Sequence, residues 1–147
     1  MKIICVGRIK EDFFREGIGY FTREIRKKYP MEIVECQDEP TPDACPQSLN
    51  DRIRRTEGKR ILEKIKEDDY VIALCIDGKH YRTDLWKKRM GRILSGTEGN
   101  VTFVIGGSLG LSDEVISRAD EKLSFSALTF PHQMMRLILC EQIARII

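Results

Sequence analysis

The chain lacks any apolar run approaching the roughly twenty residues needed to cross a bilayer, so no membrane span is predicted. Its opening, Met1-Lys2-Ile3-Ile4-Cys5, is too short for a secretory signal, and the two absences together predict a soluble cytoplasmic protein. Histidine is scarce: His80 and His132 are the two present, neither spaced as a ligand with any cysteine, so no metal site is expected. The five cysteines (Cys5, Cys36, Cys45, Cys75 and Cys140) are an odd number without a Cys-x-x-Cys pair, which argues against a disulfide framework or a thiol redox motif. Cys5, Cys75 and Cys140 stand in apolar runs and are expected as reduced core residues. An excess of one charge is missing too. Lys plus Arg number 25 against 23 Asp plus Glu, leaving +2, so total charge does not mark a nucleic-acid binder. No repeat or low-complexity tract interrupts the 147 residues, a length that suits one domain spanning 1–147 and burying about two thirds of its unfolded surface.

What is present is an alternation of short apolar runs and amphipathic stretches. Lys2 to Val6 reads as a first strand, and Asp12 to Tyr29 as a helix with Phe13, Phe14, Ile18, Phe21 and Ile25 near helical spacing. Met31 to Cys36 is a second strand, followed by a proline-containing acidic loop. Ser48 to Glu67 reads as a polar helix, and Tyr70 to Ile76 as a central strand closed by Asp77-Gly78. Thr83 is placed to cap a helix over Asp84 to Leu94. Val101 to Ile105 is a fourth strand, Leu123 to Phe125 a short fifth, and Pro131 suits the first turn of a last helix. Strands alternating with helices predict an α/β fold with a mostly parallel sheet and helices on both faces.

Charge distribution says more than its sum. From Lys79 to Arg92 the basic residues Lys79, Arg82, Lys87, Lys88, Arg89 and Arg92 face one acid, Asp84. Such a patch attracts phosphates; a solvated helix face is the equally weighted alternative. The last helix is apolar from Met134 to Cys140 except for Arg136, all round its circumference. This predicts packing against a second copy in a two-fold dimer, with a central core helix of one chain as the alternative.

The densest chemistry lies between Val101 and His132. Ile105-Gly106-Gly107-Ser108-Leu109-Gly110-Leu111 follows a buried strand, and Ser112-Asp113-Glu114 reads as the cap and acidic first turn of a helix. A Walker loop would require a lysine and a hydroxyl after Gly110, where Leu111-Ser112 stands; the dinucleotide fingerprint would require glycine where Ser108 stands. Taken alone, the glycines read more readily as a tight turn than as a ligand cradle. Leu123-Ser124-Phe125-Ser126-Ala127-Leu128-Thr129-Phe130-Pro131-His132 then forms an apolar segment with small hydroxyls and no charge, suited to a flat apolar group held by backbone N–H and C=O groups.

These two motifs, in this order and spacing, resemble the RlmH family of SPOUT-class methyltransferases over nearly the whole chain, from Lys2-Ile3-Ile4-Cys5-Val6-Gly7-Arg8 to Glu141-Gln142. The resemblance implies an α/β fold whose C-terminal part is a trefoil knot, with knot and cofactor site within about 70–147. It implies a homodimer that transfers a methyl group from S-adenosylmethionine to N3 of a pseudouridine in 23S ribosomal RNA of the ribosome. The positions matching the family's cofactor contacts are Leu74, Gly106 and the run Phe125, Ser126, Ala127, Leu128, Thr129, Phe130. His132 and Arg136 are the candidate catalytic residues, with Asp77 and His80 as further candidates for proton handling, and Arg136 is expected to meet phosphate or Glu141 of a partner chain. RNA contacts are expected from Lys79, Arg82, Lys87, Lys88 and Arg89. Family members carry a further tail with Gly, Pro or Ala, Tyr and His; the sequence ends at Ile147 without it, and the expectation is that RNA positioning depends on this more than cofactor binding. Two other readings compete with the enzyme: a non-catalytic RNA- or ribosome-binding module of the same fold, and a nucleotide-dependent oxidoreductase, which the glycine pattern disfavours.

Overall fold

The expected alternation is present in a computed structural model that describes residues 1–147. The elements are β1 (Lys2–Val6), α1 (Asp12–Arg26), β2 (Glu32–Cys36), α2 (Gln47–Leu62), β3 (Tyr70–Lys79), α3 (Thr83–Gly96), β4 (Val101–Ile105), α4 (Asp113–Arg118), β5 (Glu121–Leu123) and α5 (His132–Ile146). All five strands are parallel, in the order β2-β1-β4-β3-β5. The side-chain period of two sorts the strand residues between two cores. Ile3 and Cys5 of β1 face one way, into a cluster completed by Ile18 and Ile25 of α1, Trp86 and Met90 of α3, and Leu139 and Ile143 of α5. Ile4 and Val6 face the other way, against Ile61 of α2 and Val115 of α4. Helices therefore cover both faces, which explains why β1 and β4 are buried at every position.

Several sequence expectations shift. β3 continues to Lys79 through Asp77-Gly78, because Leu123 pairs with both Leu74 and Lys79 across an irregular register. β5 correspondingly runs from Glu121 to Leu123 and stops where that irregularity begins. The cap of α3 is Arg82, not Thr83, without a side-chain hydrogen bond, whereas Ser112 caps α4 as expected by accepting from the Val115 N–H. Cys5 and Cys140 are buried as expected, but Cys75 is only half-buried. One side of α5 is occupied within the chain, with Arg136, Leu139, Cys140, Ile143 and Ile146 buried, so the core-helix alternative accounts for that side; Met134 stays exposed and Ile138 half-buried.

At the N-terminal edge of the sheet, Asp69 ties four segments together. Its carboxylate accepts from the N–H groups of Lys66 (3.1 Å) and Asn100 (3.2 Å) and from the Thr102 hydroxyl (3.1 Å), and it pairs with the buried Lys2 ammonium at 3.4 Å. This edge is structural, and it leaves the opposite edge free for chemistry.

Candidate active site

Because the strands are parallel, all five end on one edge of the sheet, where α/β proteins bind their ligands. That edge collects Gly7 after β1, the 37–46 loop after β2, the irregular end of β3, the glycine loop after β4 and the Ser124–Phe130 segment after β5. In the glycine loop, Gly107 and Gly110 form an antiparallel bridge, with the Gly110 N–H donating to the Gly107 carbonyl at 3.1 Å. Gly110 has φ +83°. A Cβ on Gly106 would stand 2.8 Å from the carbonyl carbon and oxygen of Gly110. The turn thus excludes any side chain at Gly106.

The Ser124–Phe130 segment is held at its root and open at its tip. The Ser124 N–H donates to the Lys79 carbonyl (3.0 Å), its hydroxyl to the Ser126 carbonyl (3.0 Å), and the Leu128 N–H to the Ser126 hydroxyl (3.0 Å). The N–H groups of Phe125, Ser126, Ala127, Thr129 and Phe130 have no protein acceptor. Leu128 is 69% exposed. Open donors beside uncharged apolar surface fit a flat heteroaromatic ligand. Leu74 joins this segment through its pairing with Leu123, so the predicted cofactor residues share one edge.

His132 opens α5 and packs against Gly7, whose φ of +88° and missing side chain admit the ring: a Cβ there would lie 3.2 Å from His132 Cε1. Burial, and next the Arg136 guanidinium, pushes the imidazole below its ordinary value, which favours its neutral form. Arg136 is held by groups of its own chain. It is 1% exposed, donating through Nη1 to Glu35 at 2.8 Å and through Nη2 to the Gly7 carbonyl at 3.1 Å. Its carboxylate partner within the chain is Glu35, while Glu141 of the same chain pairs with Arg145. Asp77 is ion-paired with Lys122 at 3.3 Å on an exposed strand end, and no hydrogen bond links it or His80 to His132.

Glu57, on the polar helix α2, escaped the sequence reading. It is 4% exposed, and its carboxylate stands 3.1 Å from where a Cβ on Gly107 would be while accepting from the Glu39 N–H at 3.0 Å. It therefore fastens the 37–46 loop to the back of the glycine loop. A signal existed in Gly58: a glycine inside a helix marks a close approach, and a Cβ there would come within 2.3 Å of Ser112 Oγ. Burial raises the Glu57 pKa above its ordinary 4.5. A raised carboxyl binds its proton more tightly in the folded chain, so its favourable contribution is complete below about pH 4.5 and is lost as pH rises through the folded value. Glu57→Gln keeps an acceptor for Glu39 and removes that loss. Urea denaturation is expected to show the Gln variant gaining stability relative to wild type between mildly acidic and neutral pH. Parallel pH profiles for the two would exclude this assignment.

The basic patch divides. Arg89 is engaged within the chain: its guanidinium donates to Glu121 at 2.9 and 3.1 Å and to the Tyr70 hydroxyl at 3.0 Å, while Tyr81 donates to the same carboxylate. Lys79 lies over the Tyr81 ring, 4.8 Å from its centroid, and Arg82 pairs with Asp84 at 3.4 Å. Lys79, His80, Lys88 and Arg92 line an open hollow beside this network, with Lys87 exposed nearby. No group of histidine, cysteine and carboxylate side chains is arranged to hold a metal, and no helix is long and apolar enough to cross a membrane.

A family model described as "Predicted SPOUT methyltransferase" matches residues 1–147. Among similar proteins is the ribosomal RNA large subunit methyltransferase H of Clostridioides difficile, 48% identical over 145 residues that cover 99% of this chain and 91% of that protein. Proteins of the same name from Lactiplantibacillus plantarum and Limosilactobacillus reuteri are 43% and 44% identical, with the same coverage. With an uncharged segment of open backbone donors and a glycine turn on the same edge of the sheet, and a match along its full length, the chain is a methyltransferase and belongs to the SPOUT family, in its RlmH branch.

Proposed function

We propose that the chain transfers a methyl group from S-adenosylmethionine to N3 of a pseudouridine in 23S ribosomal RNA of the large subunit, in the cytoplasm and as a homodimer. The observation carrying this reading is the Ser124–Phe130 segment, whose open N–H groups and exposed Leu128 suit an adenine ring. The names of the relatives supply the RNA class. Leu74, Gly106 and the residues Phe125 to Phe130 would hold the cofactor, which when bound supplies an electrophilic methyl on a sulfonium. The protein's part is alignment and proton removal. His132, neutral and packed on Gly7, is positioned to accept the N3 proton. Arg136 acts as a positioning residue, holding the Gly7 carbonyl and Glu35. Lys79, Arg82, Lys87 and Lys88 remain available to draw RNA phosphates, with Arg89 supporting them through Glu121. The C-terminal segment follows the family's knotted path, and the Met134 side of α5 meets the second copy.

Calorimetric titration with S-adenosylmethionine and, separately, NADH tests the cofactor. One S-adenosylmethionine per subunit and no NADH is the expected result; NADH alone would overturn the reading. Transfer of labelled methyl to ribosomes lacking the modification tests the acceptor and separates an enzyme from a binding module.

A further inference from the structure

Between α1 and the β2 side of the sheet, a cleft of about 880 Å³ is lined by Arg8, Arg15, Arg23, Arg26 and Arg136, with Glu35 its one carboxylate. Charge in the cleft is far from balanced. Glu35 is engaged by Arg136, and Arg15 by Asp12. Arg26 donates through Nε to the Met31 carbonyl, which leaves its charge uncompensated. Arg8 and Arg23 are exposed and take part in none of the protein's ion pairs or hydrogen bonds. At the floor, Arg136 is 1% exposed and its Nε is buried without a hydrogen-bond partner. Uncompensated guanidiniums converging on one cleft are suited to recognise an oxyanion.

The cleft also touches the reaction centre. Arg136 donates to the Gly7 carbonyl, and the Cα of the same glycine abuts His132. We propose that this cleft seats backbone phosphates of the RNA strand that carries the target nucleotide. The identity of the anion rests on the rRNA methyltransferase reading; the convergence of cations does not. A phosphate held there fixes the strand through Arg8 and Arg23 while Arg136 links it to the backbone that positions the base acceptor, so substrate engagement and proton removal share one element.

The test measures binding of a short fluorescent single-stranded RNA to the full chain across a salt series, for wild type, Arg8→Ala/Arg23→Ala, and the control Arg52→Ala/Arg55→Ala, whose exposed arginines lie on α2 at the opposite face. Losing two phosphate contacts is expected to weaken binding about tenfold and to reduce the salt slope by about 1.4, at roughly 0.7 per phosphate for single strands. S-adenosylmethionine affinity should be unchanged. Equal effects of the cleft and control pairs would make the loss one of general charge and overturn the proposal. So would unaltered RNA binding with a changed sedimentation coefficient, which would make the cleft a protein contact. If the cleft pair alone loses RNA but wild type methylates no ribosome, the cleft assignment stands and the proposed reaction falls.

Discussion

Gly106→Val removes methyl-donor binding, by at least about a hundredfold (about 2.7 kcal/mol), while leaving a folded protein. The reason is local. The added side chain meets the Gly110 carbonyl at 2.8 Å and Leu111 Cδ2 at 3.1 Å, and the first of these is backbone that a rotamer change cannot move. The turn must open, and the Gly107–Gly110 bridge goes with it. β4 is upstream of the change and its buried residues keep their partners, so the stability cost stays near that of ordinary overpacking, about 1–3 kcal/mol. Gly91→Ala is the control: nothing lies within 4 Å of its added Cβ on α3, and alanine there should stabilise by up to about 1 kcal/mol. A folded Gly106→Val chain with wild-type affinity in calorimetry would remove the glycine loop from the donor site.

The second large effect is on the fold. Asp69→Ala leaves the Lys2 ammonium, 5% exposed, without its counter-charge and orphans the N–H groups of Lys66 and Asn100. Breaking a buried pair from one side costs about 3–5 kcal/mol, a fall in Tm on the order of 10 °C for a domain of this size. Lys2→Met with Asp69→Leu should recover part of it, because no charge is then stranded. The pH dependence follows from the direction of the shift. Burial would raise the Asp69 carboxyl, but the two N–H donors, Lys2 and Thr102 hold it below its ordinary 3.8. A depressed acid contributes stability that is complete above that ordinary value and is lost as pH falls through the folded one. Thermal denaturation of wild type should show an acid-side loss that Asp69→Ala lacks. If both lose stability in parallel below pH 4, Asp69 is not its source.

Much of the scaffold was legible because its causes are local. Val101 to Ile105, a β-branched and aromatic run ending in glycine, is β4 to the residue, and Ser112 ahead of two acids is a cap. Errors fall where the cause is distant. Whether Asp77-Gly78 ends β3 is decided by Leu123, which pairs on both sides of it. Arg89 on α3 looks in sequence like its neighbours in the basic patch, and its pairing with Glu121 of β5 has no local signal. The same holds in the site. The glycine loop and the uncharged segment were visible as motifs, whereas Glu57 behind Gly107 and Arg136 between Glu35 and Gly7 join residues separated by 50 or more positions, for which no periodicity or spacing rule exists.

The position of α5 governs when the molecule can exist at all. Leu139, Cys140, Ile143 and Ile146 complete the larger core, and β5 closes the edge beside β3, yet both come after β1 to β4 and α1 to α4 along the chain. A nascent chain that has not yet delivered α5 therefore holds a parallel sheet whose α1 and α3 face is only partly covered, and non-local pairing of this kind is intrinsically slow and exposed to aggregation. Donor cradle, His132 and the closing helix arrive together, so a nascent chain has neither a finished core nor a finished site, and truncations from the C-terminal side should yield chaperone substrates, not partial enzymes.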